Sequence, residues 1–190
     1  AGDRHLTGII EKNAVRVSQI IDNVLQLSRR EATRQQRIVL AEWLGGFLEE
    51  FCATAERTTD DFRVGGADEL IDVHFDPSHL HQVLWNLCEN ALRHGRGDGG
   101  EPVELTAGRI AASGRPYLEI ADRGRGIPAE ESERLFEPFF TAGDAGGTGL
   151  GLFVSRELCQ TNGALLQYEP RAGGGSIFRI VFADPQRWKG

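Results

Sequence analysis

One segment restricts this 190-residue chain more than any other: Gly146-Gly147-Thr148-Gly149-Leu150-Gly151-Leu152 runs directly into a stretch with helical spacing, residues 150–161. Four glycines in six positions disfavour both helix and strand, because glycine loses the most backbone freedom on ordering. The segment is therefore a loop. A loop that opens a helix presents unpaired backbone amides and partial positive charge, which together make a cradle for an anion. The cradle contains no lysine, so it is not the Gly-x-x-x-x-Gly-Lys-Ser/Thr phosphate loop. The whole chain has only Lys12 and Lys189, and neither sits in a plausible strand, which also argues against the protein-kinase fold. Of the 24 glycines, 18 fall in residues 95–190. The second half of the chain is thus where a ligand is expected.

Residues 4–35 read as one long helix. Leu6, Ile10, Asn13, Val17, Ile20, Val24 and Leu27 alternate steps of four and three, a heptad seam with one polar member. Ile9, Ile21 and Leu25 widen the stripe toward a helix in a bundle. Such a face needs a partner: a dimerisation bundle, or the surface of its own domain. The formal charge is −7 overall but positive through this first segment, which places a boundary near residues 34–37. Beyond it, residues 38–40 read as a strand, 42–57 as a helix and 70–75 as a strand. Asp76-Pro77 then caps a helix running to about His94. Residues 95–100 form a turn, 103–110 and 117–121 a hairpin, and 128–147 short helical pieces with glycine loops. Strands at 165–168 and 176–182 flank the turn at 173–175. Helices and mostly antiparallel strands are segregated, so the fold class is α+β, a two-layer α/β sandwich.

Composition excludes several functions. An acidic chain is a poor nucleic-acid binder. Cys52, Cys88 and Cys159 are odd in number and far apart, which excludes a disulfide framework or zinc ribbon and suggests a reducing compartment. No apolar run approaches the ~20 residues needed to span a membrane. There is no methionine, even at position 1, so the chain reads as a piece of something longer. His74, His79 and His81 are too irregularly spaced for a metal site and read as surface histidines.

Two further clusters join the glycine loop. Asn86, Asn90 and Arg93 share one helix face. The amide oxygens of the two asparagines suit magnesium, which takes few protein ligands plus water and phosphate; equally, paired asparagines can tie down a loop. Asp122-Arg123-Gly124-Arg125-Gly126 follows a strand. An ionised aspartate only accepts hydrogen bonds, so it would pair with the exocyclic amine of adenine and poorly with the carbonyl of guanine. The alternative is a plain Asp-Gly turn, as a mobile linker is for the glycine loop. Phe136-Glu137-Pro138-Phe139-Phe140-Thr141, between these clusters, reads as an aromatic lid.

In this order the clusters resemble the catalytic ATP-binding domain of bacterial sensor histidine kinases, over roughly residues 37–184. The wider superfamily shares its Bergerat-type fold with type II topoisomerases, Hsp90-type chaperones and mismatch-repair ATPases. The resemblance implies a second dimerisation helix at 1–36, the catalytic domain at 37–184 and a tail at 185–190. The run Asn23-Val24-Leu25-Gln26-Leu27-Ser28-Arg29-Arg30 resembles the sensor kinases that control type IV pilus genes. It further implies that Asn90 coordinates magnesium and that Asn86, Arg93 and His94 line the phosphate side. Glu89 would orient or polarise the phosphoacceptor. Asp122 would read adenine, with Gly124 and Gly126 shaping its wall and Ser176 supporting it through water. Gly147, Thr148, Gly149, Leu150 and Gly151 would hold the phosphates of ATP. The implied partners are a second copy through the first helix and a response regulator receiver domain. No nucleic acid is implied, and a membrane only through segments upstream, so the domain would be cytoplasmic. The family's His-Glu-x-x-x-Pro acceptor stretch is absent, since His5 is followed by Leu6-Thr7-Gly8. The lysine often found after the aromatic patch is replaced by Ala142-Gly143. Two other functions remain open at this point: a superfamily ATPase, which would need an acid where Asn86 stands, and a non-enzymatic module whose glycine loops bind a partner.

Overall fold

The computed structural model describes residues 33–66, 71–95, 100–141 and 147–184. The expected helix at 4–35 lies outside the described residues except for 33–35, which are not helical, and the tail at 185–190 lies outside them altogether. The elements are β1 (Gln36–Val39), α1 (Leu40–Thr54), β2 (Phe62–Gly65), β3 (Asp72–Phe75), α2 (Pro77–His94), β4 (Val103–Arg109), β5 (Pro116–Ala121), α3 (Ala129–Ser132), α4 (Gly151–Thr161), β6 (Leu165–Pro170) and β7 (Ser176–Val181).

Five strands form one sheet in the order β2-β4-β5-β7-β6. All neighbours are antiparallel except β2 and β4, which run parallel. β1 and β3 pair antiparallel as a separate ribbon. Alternation assigns the faces of the large sheet: Val103, Leu105, Leu118, Ile120, Phe178 and Ile180 point into the core. The helices supply its other half through Leu44, Phe51, Leu80, Leu84, Leu87 and Val154. On the opposite face Arg179 reaches Glu119 at 2.6 Å and Glu169 at 2.7 Å, joining three strands. This is the expected two-layer α+β sandwich. Its three cysteines are free and buried, and burial pushes the Cys159 thiol up to about 12.

Helix α2 keeps its expected limits because its ends are locally encoded. Asp76 Oδ1 accepts the Ser78 amide at 3.0 Å, and Pro77 occupies the first turn, where no amide is needed. Helix α1 differs from the expected 42–57. It starts at Leu40 and stops at Thr54, where Glu56 adopts φ 53° and Arg57 N donates to the Cys52 carbonyl at 2.9 Å. That closure ends a helix without glycine. β2 was not expected. Its four residues carry little alternation, and it exists because it pairs with β4 across some forty residues.

Candidate functional site

The end of α2, the end of β5 and the start of α4 meet around a cavity of about 290 Å³. Asn86, Glu89, Asn90, Arg93 and His94 enter from α2, Asp122 and Gly126 from the loop after β5, and Ser176 from β7. Gly147, Thr148, Gly149 and Gly151 close the side where α4 begins. Of the site residues expected from sequence, only Gly124 and Leu150 do not line it. Both stand behind the wall. A Cβ on Gly124 would overlap the His94 carbonyl oxygen, and Leu150 is buried, its amide donating to Thr148 Oγ1 at 3.3 Å.

Asp122 is 5% exposed. Its Oδ1 accepts the Gly124 amide at 2.8 Å and the Ser176 amide at 3.2 Å, while its own amide donates to the Ser176 carbonyl at 2.9 Å. Ser176 therefore meets Asp122 directly through its main chain rather than its hydroxyl. Burial pushes the Asp122 carboxyl above the usual range, against the pull of these two amides, Arg171 and His94. Burial, reinforced by Arg93 and Arg125, lowers the His94 imidazole, which favours the neutral ring at pH 7.

Opposite this wall, α4 has no side-chain cap. Its first amides have no partner within the helix, and its first two residues, Gly151 and Leu152, line the cavity together with Gly147, Thr148 and Gly149. Asn86 Nδ2 donates to the Gly151 carbonyl and to Ser155 Oγ, each at 3.3 Å. It thus lines the cavity and also ties α2 to α4. The aromatic segment is fastened to the glycine loop: Phe139 N donates to the Gly149 carbonyl at 2.9 Å, and Phe139 adopts φ 66°. Phe140 and Thr141 line the cavity, whereas Phe139 is 67% exposed. Ala142 and Gly143 lie outside the described residues.

Sequence reasoning gave no role to Trp85, Arg125, Ile127, Leu135, Leu152 and Phe178, which also line the cavity. Ile127 and Leu152 were findable as apolar neighbours of the glycine motifs. Phe178 and Trp85 carry no local mark. It also missed Gly175, whose Cβ would overlap the Asp122 carbonyl oxygen. His79 and His81 belong to packing: His79 Nδ1 accepts from Asn162 Nδ2 at 3.0 Å, and His81 stacks on Trp85.

Residues 75–186, more than half of the chain, match the family described as histidine kinase-, DNA gyrase B- and HSP90-like ATPase. The chain is 44% identical over 98% of its length to sensor protein kinase PilS of Pseudomonas aeruginosa, and it covers 35% of that protein. It is 30% identical over 97% of its length to sensor histidine kinase ZraS of Escherichia coli, covering 40% of it. The chain thus spans little more than a third of these curated relatives. Among solved structures, the nucleotide-free catalytic domain of histidine kinase ThkA superposes with a TM-score of 0.66 at 26% identity, over 80% of this chain and 96% of that one. Full-length ShkA in complex with AMPPNP shares the fold, with a TM-score of 0.70 at 22% identity over 97% of this chain and 40% of that one. The cavity thus sits in a nucleotide-binding domain, and the chain belongs to the histidine kinase-, DNA gyrase B- and HSP90-like ATPase family, as a catalytic domain of the sensor histidine kinase kind.

Proposed function

We propose that this domain binds magnesium-ATP in the cavity and passes the terminal phosphoryl group to a histidine, from which a response regulator takes it. The observation that carries the reading is the pairing of a buried acceptor, Asp122, with the capless start of α4 across one cavity. A carboxylate selects the adenine amine, and open amides hold the phosphates.

Asp122 Oδ1 is held by two amides, which leaves Oδ2 as the oxygen for the base. Gly124 and Gly126 keep the wall close to it. Gly147, Thr148, Gly149, Leu150 and Gly151 shape the phosphate side, with Arg93 and His94 at its rim. The donor set on α2 fits magnesium: Asn90 offers a neutral hard oxygen beside Asn86 and the carboxylate of Glu89. Among the described residues no group of three His, Cys, Asp or Glu could hold a metal by itself, so phosphate oxygens would complete the shell, as magnesium prefers. When bound, the ion neutralises charge on the phosphate oxygens. Glu89 orients the incoming imidazole. The histidine nitrogen then bonds to the terminal phosphorus, the bond to the bridging oxygen breaks, and ADP departs.

The acceptor histidine would stand on a first dimerisation helix that precedes residues 1–36, the second such helix, so that two copies pair through it. None of the described helices is long and apolar enough to cross a membrane. The proposed parent is a membrane-anchored sensor with this domain on its cytoplasmic side. The likeness to PilS supports placing it with the sensor kinases that control type IV pilus genes.

Titration calorimetry tests the reading. ATP should bind one to one, more tightly with magnesium, and GTP far more weakly; no ATP binding would contradict it. With labelled ATP alone the chain should gain no acid-labile phosphate. A separate dimerisation domain bearing a His-Glu box should be labelled weakly in trans, because the effective concentration of a tethered acceptor is lost.

A further inference from the structure

The turn between β6 and β7 reaches Asp122 from behind, 49 residues later in the chain. Arg171 opens this turn with a side chain only 10% exposed. Its guanidinium joins two points. One nitrogen donates to the Asp122 carbonyl at 3.2 Å and another to Glu104 Oε2, on β4, at 2.6 Å. Its main chain closes the same turn, its amide donating to the Gly175 carbonyl at 3.1 Å. Gly175 in turn packs against the Asp122 carbonyl so tightly that no Cβ fits, and the Ser176 amide that follows holds the Asp122 carboxylate. The turn thus grips both the main chain and the side chain of Asp122, and Arg171 fixes the turn to β4 through a charge-assisted bond.

We propose that Arg171 is a positioning residue of the nucleotide site: it holds Asp122 in register with the cavity and so sets the preference for adenine over guanine. This rests on the nucleotide reading given above. A planar, permanently charged fork suits the task, because it bonds a carbonyl and a carboxylate at once and cannot be neutralised. The charged and titratable groups around Asp122 are His94 at the end of α2 and Arg171 itself. Arg93 and Arg125 act on His94, Glu104 balances Arg171, and Arg123 is paired with Glu101 at 3.4 Å. Arg171 favours the ionised carboxylate, against burial. Without it, Asp122 should take up a proton at higher pH.

The test compares R171Q, R171K and R179Q of the whole chain, with ATP and GTP affinity measured from pH 5 to 8. Arg179 is the control, since it makes ion pairs on the same hairpin but on the solvent face. R171Q should lose about tenfold in ATP affinity at pH 7 with GTP affinity nearly unchanged, and its affinity should fall off at a higher pH than in wild type. R171K should restore the pH profile more than the base preference, and R179Q should match wild type in both. If R171Q fails to fold, E104Q, which keeps the guanidinium but removes its anchor, should show the same pattern more weakly. Wild-type base preference and pH profile in R171Q, or in E104Q where that is the variant that folds, would overturn the proposal. So would equal losses for ATP and GTP at an unchanged pH profile. Failure of the wild-type chain to bind ATP would instead overturn the nucleotide reading, and this proposal with it.

Discussion

Helix α2 has a buried aspartate at each end, and the two are treated in opposite ways. At its start, Asp76 is 8% exposed and both its oxygens are occupied: Oδ2 accepts the Arg34 amide at 2.8 Å, and Oδ1 accepts the Ser78 amide at 3.0 Å and hydroxyl at 2.6 Å. Its own amide donates to Asn162 Oδ1 at 2.9 Å, and Asn162, 1% exposed, also bonds His79 and the Leu158 carbonyl. Burial acts upward on the Asp76 carboxyl, but the Ser78 hydroxyl, the two amides and His79 outweigh it and hold it below the usual range. At the other end of the helix, Asp122 receives two amides on one oxygen, and burial prevails. The difference separates structure from function. Asp76 is satisfied within the protein and ties three elements together, whereas Asp122 is held in place with capacity to spare and is costly to ionise until a ligand donates to it.

The largest effect should come from crowding the Asp122 end. Gly124→Ala drives a Cβ into the His94 carbonyl, where backbone meets backbone and nothing flexible can yield. We expect a loss of about 2–3 kcal/mol in urea unfolding, together with loss of nucleotide binding. Gly147→Ala is the matched control on the phosphate side. Its Cβ would meet only the end of the Arg93 side chain, at 3.4 Å, so stability should change by less than about 0.5 kcal/mol. Equal losses in the two variants would erase the contrast between a tightly fitted base wall and an open cradle.

Next in size is Asp76→Ala, which removes the cap of α2. It should cost about 1–2 kcal/mol at pH 7 while leaving base preference intact. Because the folded carboxyl lies below its unfolded value, its contribution is complete above the unfolded pKa and disappears as pH falls through the folded one. The stability gap between wild type and variant should therefore close in acid. A gap that persists at low pH would remove the carboxylate from the account.

A smaller effect is expected at Asn90. Asn90→Ala should keep adenosine binding and lose the extra ATP affinity that magnesium confers, about three- to tenfold. If magnesium tightens ATP equally in the variant, the ion is held elsewhere.

These expectations draw on features of unequal visibility in the sequence. Helix α2 was legible because an aspartate, a proline and an apolar stripe are local signals. The three motif clusters were legible because glycine and asparagine are costly where they stand, and the fold assembles them around one cavity. β2 was not legible, since only its partner β4 makes it a strand. Arg171 was not either: nothing near it in sequence marks it, and its role exists only because β7 lies beside β5 in antiparallel register. Asn86 shows a middle case: the sequence offers a ligand role and a tying role, and the structure shows the tie to α4 from a position on the cavity wall.

The central claim is that Asp122 reads the base, and Asp122→Asn tests it most directly by isothermal titration with ATP and GTP beside a thermal melt. The folded carboxyl lies above its unfolded value, so it stabilises the fold below the unfolded pKa, and that contribution is lost as pH rises through the folded one. At pH 7 the neutral amide should therefore melt no lower than wild type. It can still accept the two backbone amides on its oxygen, but it presents a donor to the base. We predict an ATP affinity reduced about ten- to hundredfold and a narrowed preference over GTP, with the melting temperature kept or raised. A variant that melts normally and binds ATP as tightly and selectively as wild type would contradict the claim.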